Sequence, residues 1–162
     1  MSRINYVACL DHMYQSQGFP PYKWSEYDTS PWAPFNRPLS QSSIALVSSA
    51  GIFREDQKPF DPWAVNDLSF RQIPVDTPYE RLRLNHNYFD HRDALKDFNC
   101  VFPVHRMKEF EQEGFIGRLT SPAITLGMGR LYKRTALVTE TVPRIAGILK
   151  DRGADAVLLI AA

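Results

Sequence analysis

GADAVLLIAA, residues 153–162, is the stretch on which the fold turns. Gly153 marks a tight turn, and Ala156 to Ala162 is an unbroken apolar run. A half-exposed strand alternates apolar and polar side chains, whereas an unbroken run of this kind reads as a strand of a parallel sheet covered on both faces. Just upstream, Val142, Ile145, Ala146 and Leu149 recur at helical spacing between about Thr139 and Arg152. Pro143 falls in the first turn of that helix, where a missing N–H costs little. Helix, glycine turn and apolar strand make the second half of a βαβ unit. Since a chain ordinarily closes on a polar, frayed tail, the expectation is that a partner covers this strand or that sequence is missing after it.

Working outward, IALVSSAG, from Ile44 to Gly51, is apolar and then small, the pattern of a central strand that opens into a loop at its carboxyl end. A polar, proline-bearing stretch follows from Arg54 to Asp67, then an extended piece from Leu68 to Pro74 and a brief strand at Leu82–Leu84. Val104, Met107 and Phe110 mark a helix that Glu113-Gly114 closes. The fold class expected is α/β: a three-layer sandwich with a mostly parallel sheet over residues 42–162. An aromatic and proline-rich arm, residues 1–41, precedes it, with Pro20, Pro21, Pro31, Pro34 and Pro38 set among Tyr22, Trp24, Tyr27, Trp32 and Phe35. Prolines so spaced forbid a long helix past the start of the arm. It is read as a segment lying across the domain, as a dimer contact, or as a wall of the active site.

Composition narrows the function. The 162 residues, 44% hydrophobic, suffice for one domain with a real core. Nineteen basic against eighteen acidic residues give a formal net charge of +1, which offers no field to attract nucleic acid. No apolar run approaches the ~20 residues of a membrane span, and the first residues lack a signal-peptide core. A cytoplasmic protein without nucleic-acid or membrane partners is expected. Cys9 and Cys100 lack disulfide or metal-ligand spacing and read as small buried apolar residues. No internal repeat, P-loop, G-x-S-x-G or Cys-x-x-Cys appears, and LGMGRLY at 126–132 falls short of a phosphate loop.

Chemistry concentrates in residues 84–107, LNHNYFDHRDALKDFNCVFPVHRM, which hold three of the four histidines. His86 fits a general acid or base with Asp90 fixing its tautomer, which needs only hydrogen-bond geometry. On a helix, His86 and Asp90 also share a face, so His86, Asp90 and His91 make a competing metal set. The plain alternative is imidazoles bonded to neighbouring carboxylates. Arg71 offers a guanidinium fork for a substrate carboxylate or, equally, a surface ion pair. Ser48 and Ser49, with Gly51, leave room for a ligand beyond the strand end, where open α/β sheets collect their ligands. Asp97 and Asn99 either join that substrate-binding set or serve as capping residues before the apolar CVFPV strand.

SSAGIF (48–53), SFRQIP (69–74), the 84–107 block, EGFIGRL (113–119) and LKDRGADAVLL (149–159) together resemble, in order and spacing, the glycine/sarcosine/betaine/D-proline reductase selenoprotein B family. The resemblance covers roughly residues 44–160, and the short length is similar to the D-proline reductase branch. It implies an oxidoreductase that cleaves a C–N bond of a small amino-acid-like substrate with a dithiol as electron donor and no other cofactor. It also implies that the strand matching Ala156–Ile160 delivers a selenocysteine or cysteine nucleophile at its carboxyl end.

No such residue is present among these 162, so the polypeptide is expected to be inactive as it stands. It is read as truncated at a selenocysteine codon, as a naturally short relative, or as a shortened form. Its expected partner is a second copy or a companion reductase subunit. Two alternatives compete: a non-catalytic binding or assembly subunit, and a metal-dependent enzyme built on His86, Asp90 and His91.

Overall fold

The computed structural model describes residues 4–21, 26–127 and 133–162, and the chain divides into two units, 1–35 and 36–162. Tyr22 and Trp24 of the arm, and most of LGMGRLY, lie outside the described residues. In the first unit, α1 (Tyr6–Ser16) starts at Asn5, whose side chain accepts the Ala8 N–H, and stops before Pro20.

The second unit is built on β1 (Ser43–Ser48). Its other elements are β2 (Ile52–Arg54), β3 (Phe70–Ile73), β4 (Leu82–Leu84), α2 (Val104–Gln112), β5 (Arg118–Leu119), β6 (Ala123–Leu126), α3 (Arg134–Ala136), α4 (Val142–Asp151) and β7 (Ala156–Ile160). β5, β6 and β7 all run parallel to β1, while β3 pairs antiparallel with β6. Ile44 pairs with both Leu119 and Ala156, and Val47 with both Ile124 and Leu159, so β5 and β6 occupy one edge of β1 and β7 the other. A small antiparallel pair, β2 with β4, is tied to this sheet where the Thr125 hydroxyl donates to the Ile52 carbonyl.

Side chains alternate across β1, and each face carries its own core. Ile44 and Leu46 pack with Val104 and Met107 of α2, whereas Ala45 and Val47 pack with Ile145 and Leu149 of α4. Helix, sheet, helix is the expected three-layer arrangement with a mostly parallel sheet. Helix α2 closes at Gly114, whose φ of +74° is open to glycine and whose N–H reaches the Glu111 carbonyl. Pro143 lies in the first turn of α4, as its position in the sequence requires; lacking an N–H, it follows a wider π-type turn at Leu137–Thr141.

Three expectations need correction. β7 is not covered on both faces: it is an edge strand on which Val157, Leu158 and Leu159 are exposed, because among the described residues the buried side chains of α2 and α4 pack over β1 and not over these three. The CVFPV stretch, residues 100–104, is not a strand. Asp97 caps a 3₁₀ turn at Phe98–Cys100, and Pro103 then opens α2, leaving no length for extended pairing. Cys9 and Cys100 are both exposed rather than buried, since one sits on a helix without buried residues and the other on that capped turn.

Candidate functional site

Residues 48–51, at the carboxyl end of β1, are where the surrounding loops converge. The fully buried Ser48 hydroxyl donates to the Val101 carbonyl at 2.6 Å and accepts the Ala50 N–H at 3.1 Å, which docks the turn before α2. Ser49 Oγ accepts the Ala162 N–H at 3.0 Å, and Ser49 N–H donates to the Ile160 carbonyl at 3.1 Å. The end of β7 is thereby pinned beside the end of β1. Gly51 donates to the Leu126 carbonyl and accepts the Asn85 N–H at 3.1 Å, which brings in β6 and the segment after β4. Its φ is +66°, and a Cβ there would stand 2.4 Å from the Asn85 carbonyl oxygen, so only glycine fits.

This junction places His86 against residue 51, and the imidazole is 4% exposed. Its Nδ1 accepts the Tyr88 N–H at 3.1 Å. The neutral ring therefore carries its proton on Nε2, which is buried and makes no hydrogen bond. Burial, and after it the nearby His91, holds the His86 pKa below its usual 6.5, so the ring is neutral at pH 7. The result is a preformed N–H donor aimed at no protein acceptor. Tyr88 and Phe89 stand around the ring, with centroids 5.8 and 4.7 Å away. Asn85 and Asn87 flank it and donate to the Phe60 and Pro62 carbonyls, tying the Phe60–Ala64 loop to the same segment.

The other sequence-derived residues are placed around this group. Asp90 does not orient His86. Its carboxylate is gripped by Arg92 at 2.5–2.9 Å, which holds it below the usual carboxylate range, and the tautomer is set by a backbone N–H instead. The segment is a turn rather than a helix, so the shared-face argument for His86, Asp90 and His91 does not apply. Among the described residues no group of three potential metal ligands gathers. Arg71 spreads its guanidinium over the Lys58, Pro59 and Phe70 carbonyls and the Ser69 hydroxyl, 4.2 Å above the Phe60 ring. Asp97 caps, accepting both the backbone and the side-chain N–H of Asn99, and Asn99 Oδ1 accepts the Arg106 N–H.

Three contributors are missing from the sequence-derived set. Tyr88 acts through its backbone N–H, which any residue but proline supplies. Asn85 and Asn87 have a visible signal, the N-H-N triplet, because amides flanking a histidine are suited to fixing the backbone on either side of it.

The architecture defines the class: an open, mostly parallel α/β domain whose loops converge at the carboxyl end of its central strand. The particular family follows from sequence. The chain belongs to the glycine/sarcosine/betaine reductase selenoprotein B family, which it matches over residues 11–162. It is 38% identical over 131 residues to the D-proline reductase subunit gamma of Acetoanaerobium sticklandii, a match covering 80% of this chain and 52% of that protein. It is 30% identical over 138 residues to the glycine reductase complex component B subunit gamma of Carboxydothermus hydrogenoformans, covering 82% of this chain and 31% of that one. The chain thus spans about half the length, or less, of these curated relatives. No solved structure matches it. Among the described residues no helix is long and apolar enough to cross a membrane.

Proposed function

We propose that these residues form the substrate-binding part of a reductase subunit that acts, with companion subunits, on a small amino-acid-like molecule. The reaction is reductive C–N cleavage: the substrate carbon exchanges nitrogen for hydrogen, the amine leaves, and a dithiol donor supplies two electrons and becomes a disulfide. The observation that carries this reading is the buried, neutral His86 with an uncommitted Nε2–H beside Gly51. A substrate carboxylate is the acceptor that such a donor suits, since a charge-assisted bond in a dry site is worth more than one in water.

Ser49 holds the carboxyl end of β7 beside the end of β1, and that end of β7 is where the family resemblance places the nucleophile. Ser48, Arg71, Asp97 and Asn99 act by fixing the turns around the site, and Asp90 by fixing the His86–Arg92 turn. Residues 1–162 hold cysteines only at 9 and 100, so by themselves they are expected to bind without turnover.

Calorimetric titration of the chain with D-proline, glycine, sarcosine and betaine tests the reading. Binding of at least one, weakened tenfold or more in His86→Phe, is expected. Silence with all four overturns it.

A further inference from the structure

The edge and one face of β7 carry an inference that does not depend on the substrate reading. β7 has apolar side chains on both faces, the composition of a strand inside a parallel sheet, yet its outer edge is unpaired among the described residues. It has none of the devices that protect natural edges: no lysine, no proline and no other charge between Ala156 and Ile160. Exposure is also uneven. Val157 and Leu159 lie opposite Ala45 and Val47 and so share the α4 face, where they are 43% and 73% exposed. Leu158, opposite Leu46 on the α2 face, is 36% exposed.

Topology says what fits there. The chain leaves β6 on one side of β1, passes along the α4 face and enters β7 on the other side, parallel throughout. Parallel crossovers keep one hand almost without exception, so a further step in the same direction puts its helix on that same face. The α4 face of β7 is the face left most open. Meanwhile about half of the D-proline reductase subunit gamma lies outside the match to this chain, enough polypeptide to supply such a unit.

We propose that the open edge of β7 receives a parallel strand, and Val157 and Leu159 a crossover helix, both from the part of the family subunit that lies outside these 162 residues. A second copy of this chain does not meet these terms. Two β7 edges related by a two-fold axis pair antiparallel, which places no crossover helix over Leu159.

The test compares hydrogen exchange in the 162-residue chain with exchange in the full-length Acetoanaerobium sticklandii D-proline reductase subunit gamma, at β7 of the first and the matching strand of the second. Outward amides at least tenfold slower in the full-length subunit, with the Ser43–Ser48 amides and their matches protected alike in both, are the expected result. Equal exchange at the two strands overturns the proposal. So does a β7 already protected in the chain alone, whether as a monomer or in a homodimer that dissociates on dilution. No ligand enters any of these readouts, so they stand apart from the outcome of the titrations.

Discussion

Val47 and Leu159 face each other across the β1–β7 ladder, yet Val47 is 7% exposed and Leu159 73%. The difference comes from α4, whose Ile145 and Leu149 cover β1 and stop short of β7. Truncation therefore has opposite consequences at two directly paired positions. Val47→Ala removes buried methyls from a packed interface and is expected to cost about 1–3 kcal/mol. Leu159→Ala removes atoms already in water and is expected to stay within about 0.5 kcal/mol in the 162-residue chain. Urea denaturation of both variants checks this, and equal losses would mean that β7 is covered.

Acid should loosen the start of the same ladder. The Asp155 carboxylate accepts the Ser43 N–H at 2.8 Å and binds Arg37 at 2.9 Å. The Ser43 N–H first, and Arg37 after it, hold its pKa below the usual 3.8. A depressed carboxyl contributes stability that is present above its unfolded value and lost as pH falls through the folded one. Asp155→Asn is thus expected to lower the denaturation midpoint at pH 7 and to show a shallower decline below about pH 4. The two curves should converge at the acid end; parallel curves would remove Asp155 from the account.

His86 works at higher pH and for a different reason. Burial disfavours its imidazolium, so the folded pKa lies below 6.5. Between the folded value and 6.5 the unfolded chain binds more protons, and stability falls as pH drops through that window. An NMR titration of the His86 ring should give a midpoint below 6.5, with the neutral form protonated on Nε2. His86→Phe should flatten the fall in stability below pH 6.5, and a wild-type midpoint at or above 6.5 would falsify the buried, neutral assignment.

How much of this was legible beforehand varies with the physics of each element. β1 announced itself because an apolar run ending in small residues has one common use, and Gly114 because only glycine readily closes a helix at positive φ. The strand at Leu82–Leu84 also emerged with its observed bounds. Residues 101–103 misled because valine, phenylalanine and proline after an Asp-x-Asn pair suit a strand end as well as a helix start; the Asp97 cap decided for the turn. β7 misled differently. Its composition describes a covered strand, and composition cannot say whether the cover lies within these residues. At the site, His86 was readable as a residue type, but the Tyr88 N–H that sets its tautomer depends on a backbone turn and leaves no mark on the sequence.

Glycine positions give the sharpest contrast in sign. Gly51 is held between the two sheets at φ +66°, with the Asn85 carbonyl oxygen 2.4 Å from where a Cβ would stand, and neither backbone can yield without breaking the Gly51–Asn85 hydrogen bond. Gly51→Ala adds left-handed strain of about 1–2 kcal/mol to that clash, and it displaces Asn85 and with it His86. It should therefore lower both stability and ligand affinity. Gly147 lies inside α4 with nothing within 4 Å of its missing Cβ. There alanine only restricts the unfolded chain and improves helix propensity, so Gly147→Ala should raise stability by about 0.5–1 kcal/mol and leave binding unchanged. Denaturation midpoints and calorimetry on the pair check both halves. A tolerated Gly51→Ala would mean that residues 48–51 are not the rigid junction that places His86.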